Sequence, residues 1–370
     1  MTKQAPDPLR VVIAGGGTGG HLYPGIAVAR ELLARRTGAR VSFAGTARGI
    51  EARVLPREGF ALDLIRSGGL KGKSIADGVR GAWLLPASLW GAWRLVTRRR
   101  PHLVIGVGGY SSGPVVLVAA LRGIPTMVLE QNAVPGLANR LLARFVRAAA
   151  VTFDSTRAYF GAKAFLSGNP VRPEFFELAG PSTEAGADDE SSIARLLIFG
   201  GSQGAHAINV AMVEAAAELA ADPRLRITHQ TGERDVEMVR AAYRDAGISA
   251  EVEPFLYDMG RRLRHADVVV CRAGSTTLAE IAAVGLAAIL IPLPTATDDH
   301  QRRNAEAMAA SGAVEVLSQA EAAGGALARR ILALAGDREA RRRLARAARA
   351  LARPDAARVI VDRALELAGC

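Results

Sequence analysis

Residues Leu9–Pro24, LRVVIAGGGTGGHLYP, decide the fold class expected for this chain of 370 residues. The stretch reads as a buried strand, Leu9–Ala14, followed by a loop with five glycines, Gly15–Gly20, and by His21. A helix is predicted from about Pro24 to Arg36. Glycines let backbone N–H groups approach an anion without a Cβ in the way, and a helix N-terminus attracts negative charge. A tight βα turn needs fewer glycines, so the stretch predicts a phosphate-binding loop with His21 beside the ligand.

The spacing Gly15-x-Gly17-x-x-Gly20 also fits the fingerprint of dinucleotide-binding proteins. That fingerprint requires an acidic residue about twenty positions further on, at the end of the second strand, where it binds a ribose. Here the second predicted strand ends in Gly45-Thr46, and no carboxylate follows at that point. The sequence therefore disfavours an NAD-dependent oxidoreductase.

Composition excludes several classes of protein. Two cysteines, Cys271 and Cys370, provide neither a disulfide framework nor the spacing of metal ligands. No apolar run is long enough for a transmembrane helix, and the N-terminal residues lack the apolar core of a signal peptide, so a cytoplasmic protein is expected. The length suits two domains of ordinary size. A net charge of +11 indicates anionic partners: nucleic acid, lipid headgroups or phosphorylated substrates.

Short apolar runs alternate with helical patterns in the first half, which is typical of a parallel sheet covered on both faces. The predicted strands are Leu9–Ala14, Arg40–Ala44, Ala61–Ile65, Leu103–Val107, Pro125–Leu129 and Ala148–Thr152. Two of them are followed by further glycine or polar loops, Gly108–Pro114 and Glu130–Asn132. Because ligands bind beyond the carboxyl ends of such strands, these loops and the first glycine loop are expected to form one crevice.

Residues 66–100 combine all three tryptophans with a basic cluster. The tryptophans Trp83, Trp90 and Trp93 would share one face of a helix, with a kink or a restart at Pro86. The basic residues are Arg66, Lys71, Lys73, Arg80, Arg94, Arg98, Arg99 and Arg100. The pattern is typical either of a core helix with a solvated basic flank or of a helix at a membrane surface, and both interpretations stay open. Tryptophans interleaved with leucines fit nucleic acid less well than lipid.

The second half repeats the order strand, glycine loop, helix at Arg195–Phe199, Gly200–Ala205 and His206–Ala221. Further strands are predicted at Leu225–Gln230, Ala250–Pro254, Val268–Cys271, Ala287–Ile291 and Ala313–Val316. The repeat indicates two similar domains, each with a phosphate-type turn. Between them, Ala179–Ser192 is small, polar and acidic, which indicates a linker or a mobile surface loop.

The densest chemistry of the second half lies between Cys271 and Asn304. Residues Arg272–Thr277 should begin a helix whose N–H groups and hydroxyls suit a diphosphate. Glu280 falls one turn later, where it could bind vicinal ribose hydroxyls or serve as an ordinary surface glutamate. His300 and Gln301 could bind sugar hydroxyls or be ordinary loop residues.

Six sequence blocks, in order, resemble glycosyltransferase family 28, the peripheral membrane N-acetylglucosaminyltransferases of peptidoglycan synthesis. The blocks are GGGTGGHLYPG (Gly15–Gly25), GVGGYSSGP (Gly106–Pro114), EQNAVPGLAN (Glu130–Asn139), GNPVR (Gly168–Arg172), GGSQGA (Gly200–Ala205) and CRAGSTTLAEI (Cys271–Ile281). The resemblance implies a GT-B fold, with two Rossmann-like α/β domains whose parallel sheets face each other across a cleft. The expected division is an N-terminal domain 1–178, a linker 179–192, a C-terminal domain 193–353 and a helix 354–370 that crosses back to the first domain.

The resemblance also implies an activity: transfer of GlcNAc from UDP-GlcNAc to the C4 hydroxyl of MurNAc in undecaprenyl-linked lipid I. The product is lipid II, formed with inversion, for cell wall biogenesis. Expected partners are an anionic membrane surface and other cell-wall and division proteins, with no nucleic acid. The expected location is peripheral, on the cytoplasmic face of the plasma membrane. A transferase of the same fold that uses a UDP-sugar and a different lipid or small-molecule acceptor stays open.

Residue roles follow from the resemblance. The acceptor would be bound by the first domain, through Thr18, Gly19, Gly20, Tyr110, Glu130 and Asn132, with His21 as general base or as a ligand of the acceptor phosphate. Phe255 and Leu256 would bind uracil, Glu280 ribose, and His300 and Gln301 the GlcNAc. The remaining donor-binding positions are Gly17, Asn132, Arg172, Ser202, Gln203, Asn209, Ser275, Thr276 and Thr277.

No cofactor is expected to be required, because no Asp-x-Asp motif is suitably placed. Helix N-termini and hydroxyls would stabilise the departing UDP, and stimulation by a divalent metal stays open. Ser275 and Thr276 stand where relatives can have apolar residues, and His300 where some have glutamine.

Overall fold

The computed structural model describes residues 8–65, 75–177, 193–201, 204–323 and 325–370, and no side chain of residues 75–84 or 177. The predicted linker at 179–192, Ser202 and Gln203 therefore lie outside the described residues. The chain divides into two compact units, Met1–Val171 with Arg353–Cys370, and Arg172–Ala352.

The first unit is a parallel sheet with helices on both faces. Its strands are β1 (Arg10–Gly15), β2 (Arg40–Gly45), β3 (Ala61–Leu64), β4 (Leu103–Gly108), β5 (Thr126–Glu130), β6 (Ala148–Val151) and β7 (Ala164–Leu166). Its helices are α1 (Gly19–Arg35), α2 (Glu51–Arg57), α3 (Ile75–Arg99), α4 (Ser112–Leu121) and α5 (Leu137–Leu142). The seven strands lie in the order β3-β2-β1-β4-β5-β6-β7. The order reverses between β1 and β4, the point at which ligands bind in open α/β sheets.

Alternating side chains of β1 serve two different hydrophobic cores. Val11 and Ile13 are buried in a core that contains residues of α1, while Val12 and Ala14 are buried in a core that contains residues of α3, α4 and α5. Successive side chains of a strand point to opposite faces, so both faces of this sheet are covered. Helix α1 therefore lies on one face of the sheet, and α3 and α4 lie on the other.

The second unit repeats this architecture. Its strands are β8 (Ala194–Phe199), β9 (Leu225–Gln230), β10 (Ala250–Glu253), β11 (Val268–Cys271), β12 (Ala287–Leu290) and β13 (Glu315–Val316). Its helices are α6 (Glu174–Glu177), α7 (His206–Leu219), α8 (Val236–Asp245), α9 (Met259–His265), α10 (Ser275–Val284), α11 (His300–Ala309), α12 (Gln319–Ala322), α13 (Ala326–Gly336) and α14 (Arg338–Ala350). The six parallel strands lie in the order β10-β9-β8-β11-β12-β13, which reverses between β8 and β11.

The last helix, α15 (Ala356–Ala368), belongs to the first unit. Its residues Ile360, Val361 and Ala364 are fully buried in the same core as α1. The first unit is therefore built from both ends of the chain.

The prediction of two α/β domains with Rossmann-like parallel sheets is confirmed, with three local corrections. Helix α1 begins at Gly19, not near Pro24, because the proline lies in the second turn, where it removes a single backbone hydrogen bond. A kink or a restart is predicted at Pro86, and the restart is wrong, because α3 is one helix across this residue. Strand β7 was not predicted, because Ala164–Leu166 has only three residues.

Candidate functional site

The first glycine loop packs backbone against backbone on the loop that follows β4. The N–H of Gly16 donates to the carbonyl oxygen of Gly108 at 3.3 Å. A Cβ on Gly109 would lie 2.5 Å from the carbonyl oxygen of Gly16, and Gly109 has a φ of +81°. These two loops follow the adjacent strands β1 and β4, so the close approach occurs where the strand order reverses. Glycine is required there because any side chain would separate the loops.

His21 lies in the first turn of α1 and rests on the chain at Gly108. A Cβ on Gly108 would lie 2.7 Å from Cδ2 and 2.9 Å from Nε2 of the imidazole ring. On the other side, Nδ1 of His21 lies 3.2 Å from Oγ1 of Thr18, the N-cap residue of the helix. The ring is thus held in one orientation at the carboxyl edge of the sheet. Gly19 and Gly20 belong to the helix and not to the loop.

The second strand does have a carboxylate at its end, contrary to the sequence interpretation. Glu51, the first residue of α2, is fully buried, and its carboxylate accepts hydrogen bonds from the N–H of Gly17 at 2.7 Å and of Thr46 at 2.9 Å. Sequence reasoning missed it because Glu51 lies five residues beyond Thr46. Because the side chain is fully buried and its oxygens bind these two loops, the carboxylate does not face a ribose at the surface. The predicted donor residue Gly17 likewise has its N–H bonded within the chain.

Glu130 organises the loop after β5. Its carboxylate, which is 3% exposed, accepts hydrogen bonds from the N–H groups of Asn132 at 3.0 Å and Gly136 at 3.1 Å and from Nδ2 of Asn139 at 2.8 Å. Burial raises the pKa of Glu130, and these hydrogen bonds oppose the rise. The structure therefore places Glu130 beneath the loop, where it orients half-buried Asn132. Tyr110, in the neighbouring loop, is 55% exposed.

In the second unit, Gln230 links two of the predicted donor loops. Its Nε2 donates to the carbonyl oxygen of Gly201 at 2.7 Å, and its Oε1 accepts from the N–H of Leu256 at 3.3 Å. Leu256 is buried, whereas Phe255 is 39% exposed and stacks edge-on against Tyr257 at 4.8 Å. An exposed aromatic ring on a fixed backbone suits a planar base. Gln230 was predicted only as the end of a strand.

Asn209 lies beneath the second glycine loop and does not face the surface. The side chain is 1% exposed, and its Nδ2 donates to the carbonyl oxygen of Thr231 at 2.9 Å and to Asp235 at 2.8 Å. Its Oδ1 accepts from Nε2 of His229 at 3.1 Å, a histidine whose pKa burial lowers to about 3. Gly204 packs on the same segment, since a Cβ there would lie 1.8 Å from the carbonyl oxygen of Thr231. Asn209 was predicted to contact the donor; the structure gives it the role of a support.

The segment after β11 presents a helix N-terminus as predicted. Gly274 is the N-cap of α10, Ser275 is buried, and Thr276 and Thr277 are half-buried in the first turn. Fully buried Asn304 donates from Nδ2 to the carbonyl oxygen of Ala273 at 3.2 Å and so fixes the entry to the helix. N–H groups at such a terminus are ready to bind an anion.

Glu280 is half-buried on α10, one turn beyond Thr276. Burial raises its pKa to about 7, Arg172 opposes the rise, and Glu174 adds to it. Arg172 itself pairs with Glu174 at 3.0 Å, and its guanidinium lies 5.0 Å from the ring of Phe175. A carboxyl group with a pKa near neutrality beside a phosphate-type helix N-terminus is a marker of a functional site.

His300 and Gln301 follow a strained turn. Asp298 and Asp299 have φ values of +53° and +56°, a conformation that non-glycine residues adopt rarely and at functional sites. Nδ1 of His300 donates to the carbonyl oxygen of Thr297 at 2.6 Å, and Oε1 of Gln301 accepts from the N–H of Leu293 at 3.0 Å. The turn therefore fixes both side chains at the start of α11.

Comparison with known proteins agrees with this geometry. Residues 11–151 match the N-terminal domain of glycosyltransferase family 28, and residues 195–360 match its C-terminal domain. The chain belongs to glycosyltransferase family 28. A Pelobacter propionicus protein named UDP-N-acetylglucosamine–N-acetylmuramyl-(pentapeptide) pyrophosphoryl-undecaprenol N-acetylglucosamine transferase is 48% identical, over 96% of this chain and 99% of its own length.

Two further relatives support the assignment to this family. A protein of the same name from Anaeromyxobacter sp. (strain K) is 46% identical, over 97% of this family 28 chain and 93% of its own length. The crystal structure of Acinetobacter baumannii MurG superposes with a TM-score of 0.79 at 31% identity, and the match covers 97% of this chain and 100% of that one.

The exposure of two tryptophans on α3 tests the interpretation of α3 as a core helix in this family 28 chain. Trp90 is 64% exposed and Trp93 is 47% exposed, so the interpretation of these two as core residues is wrong. The side chains of Trp83 and Arg80 lie outside the described residues, as do Arg66, Lys71 and Lys73. Arg98 and Arg99 both bind buried Asp63, so they anchor the end of α3 and are not a free basic flank.

The exposed tryptophans belong to a wider surface, the Trp90–Trp93 surface, formed by Trp90, Trp93, Leu121, Arg94 and Arg122. Leu121 is 69% exposed, and the guanidinium of Arg122 lies 4.7 Å from the ring of Trp93. Arg122 also donates to Oγ1 of Thr97 on α3 at 2.8 Å. No helix among the described residues is both long and apolar enough to cross a membrane.

Proposed function

We propose that this chain transfers GlcNAc from UDP-GlcNAc to the C4 hydroxyl of MurNAc in undecaprenyl-linked lipid I and thereby forms lipid II. The near full-length identity of 48% to a transferase of that name carries the proposal. The geometry agrees with it, because each unit presents a glycine loop and a helix N-terminus at the carboxyl edge of its sheet.

In this proposal the second unit binds the donor. The exposed ring of Phe255 contacts uracil, the Glu280 carboxylate accepts hydrogen bonds from the ribose hydroxyls, and the N-terminus of α10 binds the diphosphate. His300 and Gln301 contact the sugar: Gln301 uses its amide N–H group, because its oxygen is already bonded to Leu293.

The first unit binds the acceptor, and His21 is the general base. When Nδ1–H of His21 donates to Thr18, Nε2 carries the lone pair that accepts the proton of the C4 hydroxyl. The oxygen then forms a bond to the anomeric carbon while the bond from that carbon to the phosphate oxygen breaks, so one in-line displacement inverts the configuration. UDP leaves as an anion, and N–H groups of α10 together with hydroxyls of Thr276 and Thr277 stabilise its charge. We propose no required metal in this step, and activity with EDTA tests that point.

A transfer assay tests the function. The purified chain is incubated with UDP-GlcNAc and a short-chain lipid I analogue, and the disaccharide product is detected by mass spectrometry. Parallel reactions contain UDP-glucose or UDP-GalNAc. Transfer of GlcNAc alone supports the proposal. Tight UDP-GlcNAc binding without transfer to this acceptor would instead favour a family 28 enzyme that uses a different acceptor.

We further propose that the Trp90–Trp93 surface docks the enzyme on the cytoplasmic leaflet, where the lipid-linked acceptor lies. Exposed tryptophans beside arginines are typical of elements at a membrane interface, and each basic residue near an anionic surface contributes about 1 kcal/mol. Leu141 on α5 and Phe145, which lies just beyond the end of that helix, are also exposed, and the guanidinium of Arg144 lies 5.0 Å from the Phe145 ring. Helix α5 packs against α4, so the apolar and basic character extends over this face of the sheet.

Sedimentation with anionic vesicles tests the docking. Trp90→Ala and Trp93→Ala should each lose binding to the vesicles at low and at high salt. Their melting temperatures should stay unchanged, because neither ring is in the core. Leu33→Ala is the matched control, since this leucine is 39% exposed on α1, against the opposite face of the sheet. Equal sedimentation of all three variants and the wild type would contradict docking through this surface.

A further inference from the structure

A fully buried carboxylate lies beneath the first glycine loop and has no role in the proposed reaction so far. Oε2 of Glu51 accepts a hydrogen bond from the N–H of Gly17 at 2.7 Å. Oε1 accepts from both the N–H and Oγ1 of Thr46, each at 2.9 Å. One side chain therefore ties the loop after β1 to the loop after β2.

Three glycines make room for this carboxylate. A Cβ on Gly16 or Gly45 would lie 2.6 Å from an atom of the Glu51 side chain, and a Cβ on Gly49 would lie 2.0 Å from Oε2. These distances are shorter than any real contact, so the surrounding chain fits this one side chain closely. The sequence pattern attributes the glycines of the first loop to ligand binding. At least one of them, Gly16, is instead needed to make room for the side chain of Glu51.

The carboxylate acts on the loop in the way a bound phosphate acts on a glycine-rich loop elsewhere. It satisfies a backbone N–H group that would otherwise need a ligand or water. From the opposite side, Gly108 and Gly109 hold Gly16. The loop is therefore fixed between β4 and Glu51 before any substrate binds.

The fixed loop leads directly to His21. Thr18 follows Gly17 in the chain, its carbonyl oxygen accepts from the N–H of Leu22 at 3.1 Å to begin α1, and its Oγ1 lies 3.2 Å from Nδ1 of His21. We propose that Glu51 is a positioning residue, which sets the orientation of His21 by holding Gly17 and Thr18. This inference rests on the proposed function, in which His21 accepts the proton of the acceptor hydroxyl.

Glu51→Gln is the decisive variant. Glutamine keeps the volume but places an amide N–H group against Gly17 or Thr46, where only acceptors fit. We expect kcat with a soluble lipid I analogue to fall at least tenfold. The KM for UDP-GlcNAc and the affinity for UDP should stay within about twofold of wild type, because the donor is bound by the other unit.

Asp63→Asn is the matched control for a purely structural role. Asp63 is a buried carboxylate of the same unit, 6% exposed, and it binds Arg98 and Arg99 at the end of α3. This variant should lower the melting temperature while kcat per folded molecule stays near wild type. If Glu51→Gln behaves in the same way, Glu51 is structural only and the inference fails. A raised KM for the acceptor with unchanged kcat also overturns it.

Glu51→Asp provides a second test if the glutamine variant does not fold. The shorter side chain cannot reach Gly17 and Thr46 together, so reduced kcat with unchanged donor KM is again expected, and wild-type kcat refutes the inference. If the wild-type enzyme itself transfers no GlcNAc, it is the proposed function that fails, not the role of Glu51.

Discussion

Glu280 is expected to make donor binding depend on pH near neutrality. Burial raises its pKa to about 7, despite the opposing charge of Arg172. A carboxyl group that accepts hydrogen bonds from two ribose hydroxyls must be ionised, so below that pKa a proton has to leave before the donor binds. The affinity for UDP-GlcNAc should therefore rise with pH.

The size of the effect follows from the pKa. About one-tenth of the free chains carry an ionised Glu280 at pH 6, and about nine-tenths do at pH 8. The expected gain in affinity is close to tenfold, or about 1.4 kcal/mol. Titration calorimetry in two buffers with different ionisation enthalpies should also detect the release of about half a proton per complex at pH 7. UDP-GlcNAc is the suitable ligand, because the terminal phosphate of UDP itself titrates near pH 6.

The same pKa predicts the opposite trend for the stability of the ligand-free chain. The carboxyl group has a pKa of about 7 when folded and about 4.5 when unfolded, so its contribution to stability is fully present below about pH 4.5 and is lost progressively as the pH rises from there through 7. Glu280→Gln imitates the protonated form. At pH 8 the variant should be more stable than wild type by up to about 3 kcal/mol, although it binds the donor weakly at every pH.

Two results would refute this reasoning. One is an affinity for UDP-GlcNAc that is flat between pH 6 and 8, and the other is an equal pH dependence in Glu280→Gln. A histidine beside the diphosphate would give the opposite sign, because it binds an anion more tightly when protonated. Glu174→Gln is the matched control: it removes the negative charge that adds to the rise, so the transition in affinity should move to lower pH.

Two more substitutions test the glycine loops and their neighbours. His21→Ala should reduce kcat at least a hundredfold and leave UDP affinity unchanged by calorimetry, because general bases contribute about 10²–10⁴-fold; near wild-type turnover would exclude His21 as the base. Gly204→Ala should weaken UDP binding at least tenfold, since the new Cβ would lie 1.8 Å from the carbonyl oxygen of Thr231. The control is Gly336→Ala in the same unit: a Cβ at this position meets open space, so the variant should bind UDP with wild-type affinity.

The fold was predictable because its signals are local. Each glycine loop follows a short apolar strand and precedes a helix, and that order at Gly15–Gly20 and Gly200–Ala205 is sufficient to predict two parallel α/β units. The start of α1 was not predictable in the same way. Gly19 and Gly20 have low helix propensity. Their helical conformation is supported by the carbonyl oxygen of Thr18, which accepts from the N–H of Leu22 at 3.1 Å, and by the packing of the His21 ring on Gly108.

Residues that support the site were harder to find than residues that face it. Thr276, Glu280 and Gln301 lie within motifs beside the strand ends, so the sequence indicates them directly. Glu51 and Gln230 act on loops that are distant in sequence: Glu51 lies 34 residues beyond Gly17, and Gln230 lies 29 residues beyond Gly201. No spacing rule in a single sequence predicts such a pair.

These distant supports explain how irregular, glycine-rich loops can bind ligands without first having to be ordered. A free glycine loop loses much conformational entropy when a ligand fixes it, and that loss weakens binding. In the first unit Glu51 holds the loop through the N–H of Gly17, and in the second Gln230 holds it through the carbonyl oxygen of Gly201. Each support has a second bond to a neighbouring segment, Thr46 in one case and Leu256 in the other. Loss of either support should therefore disturb two loops at once, an effect larger than that of one missing hydrogen bond.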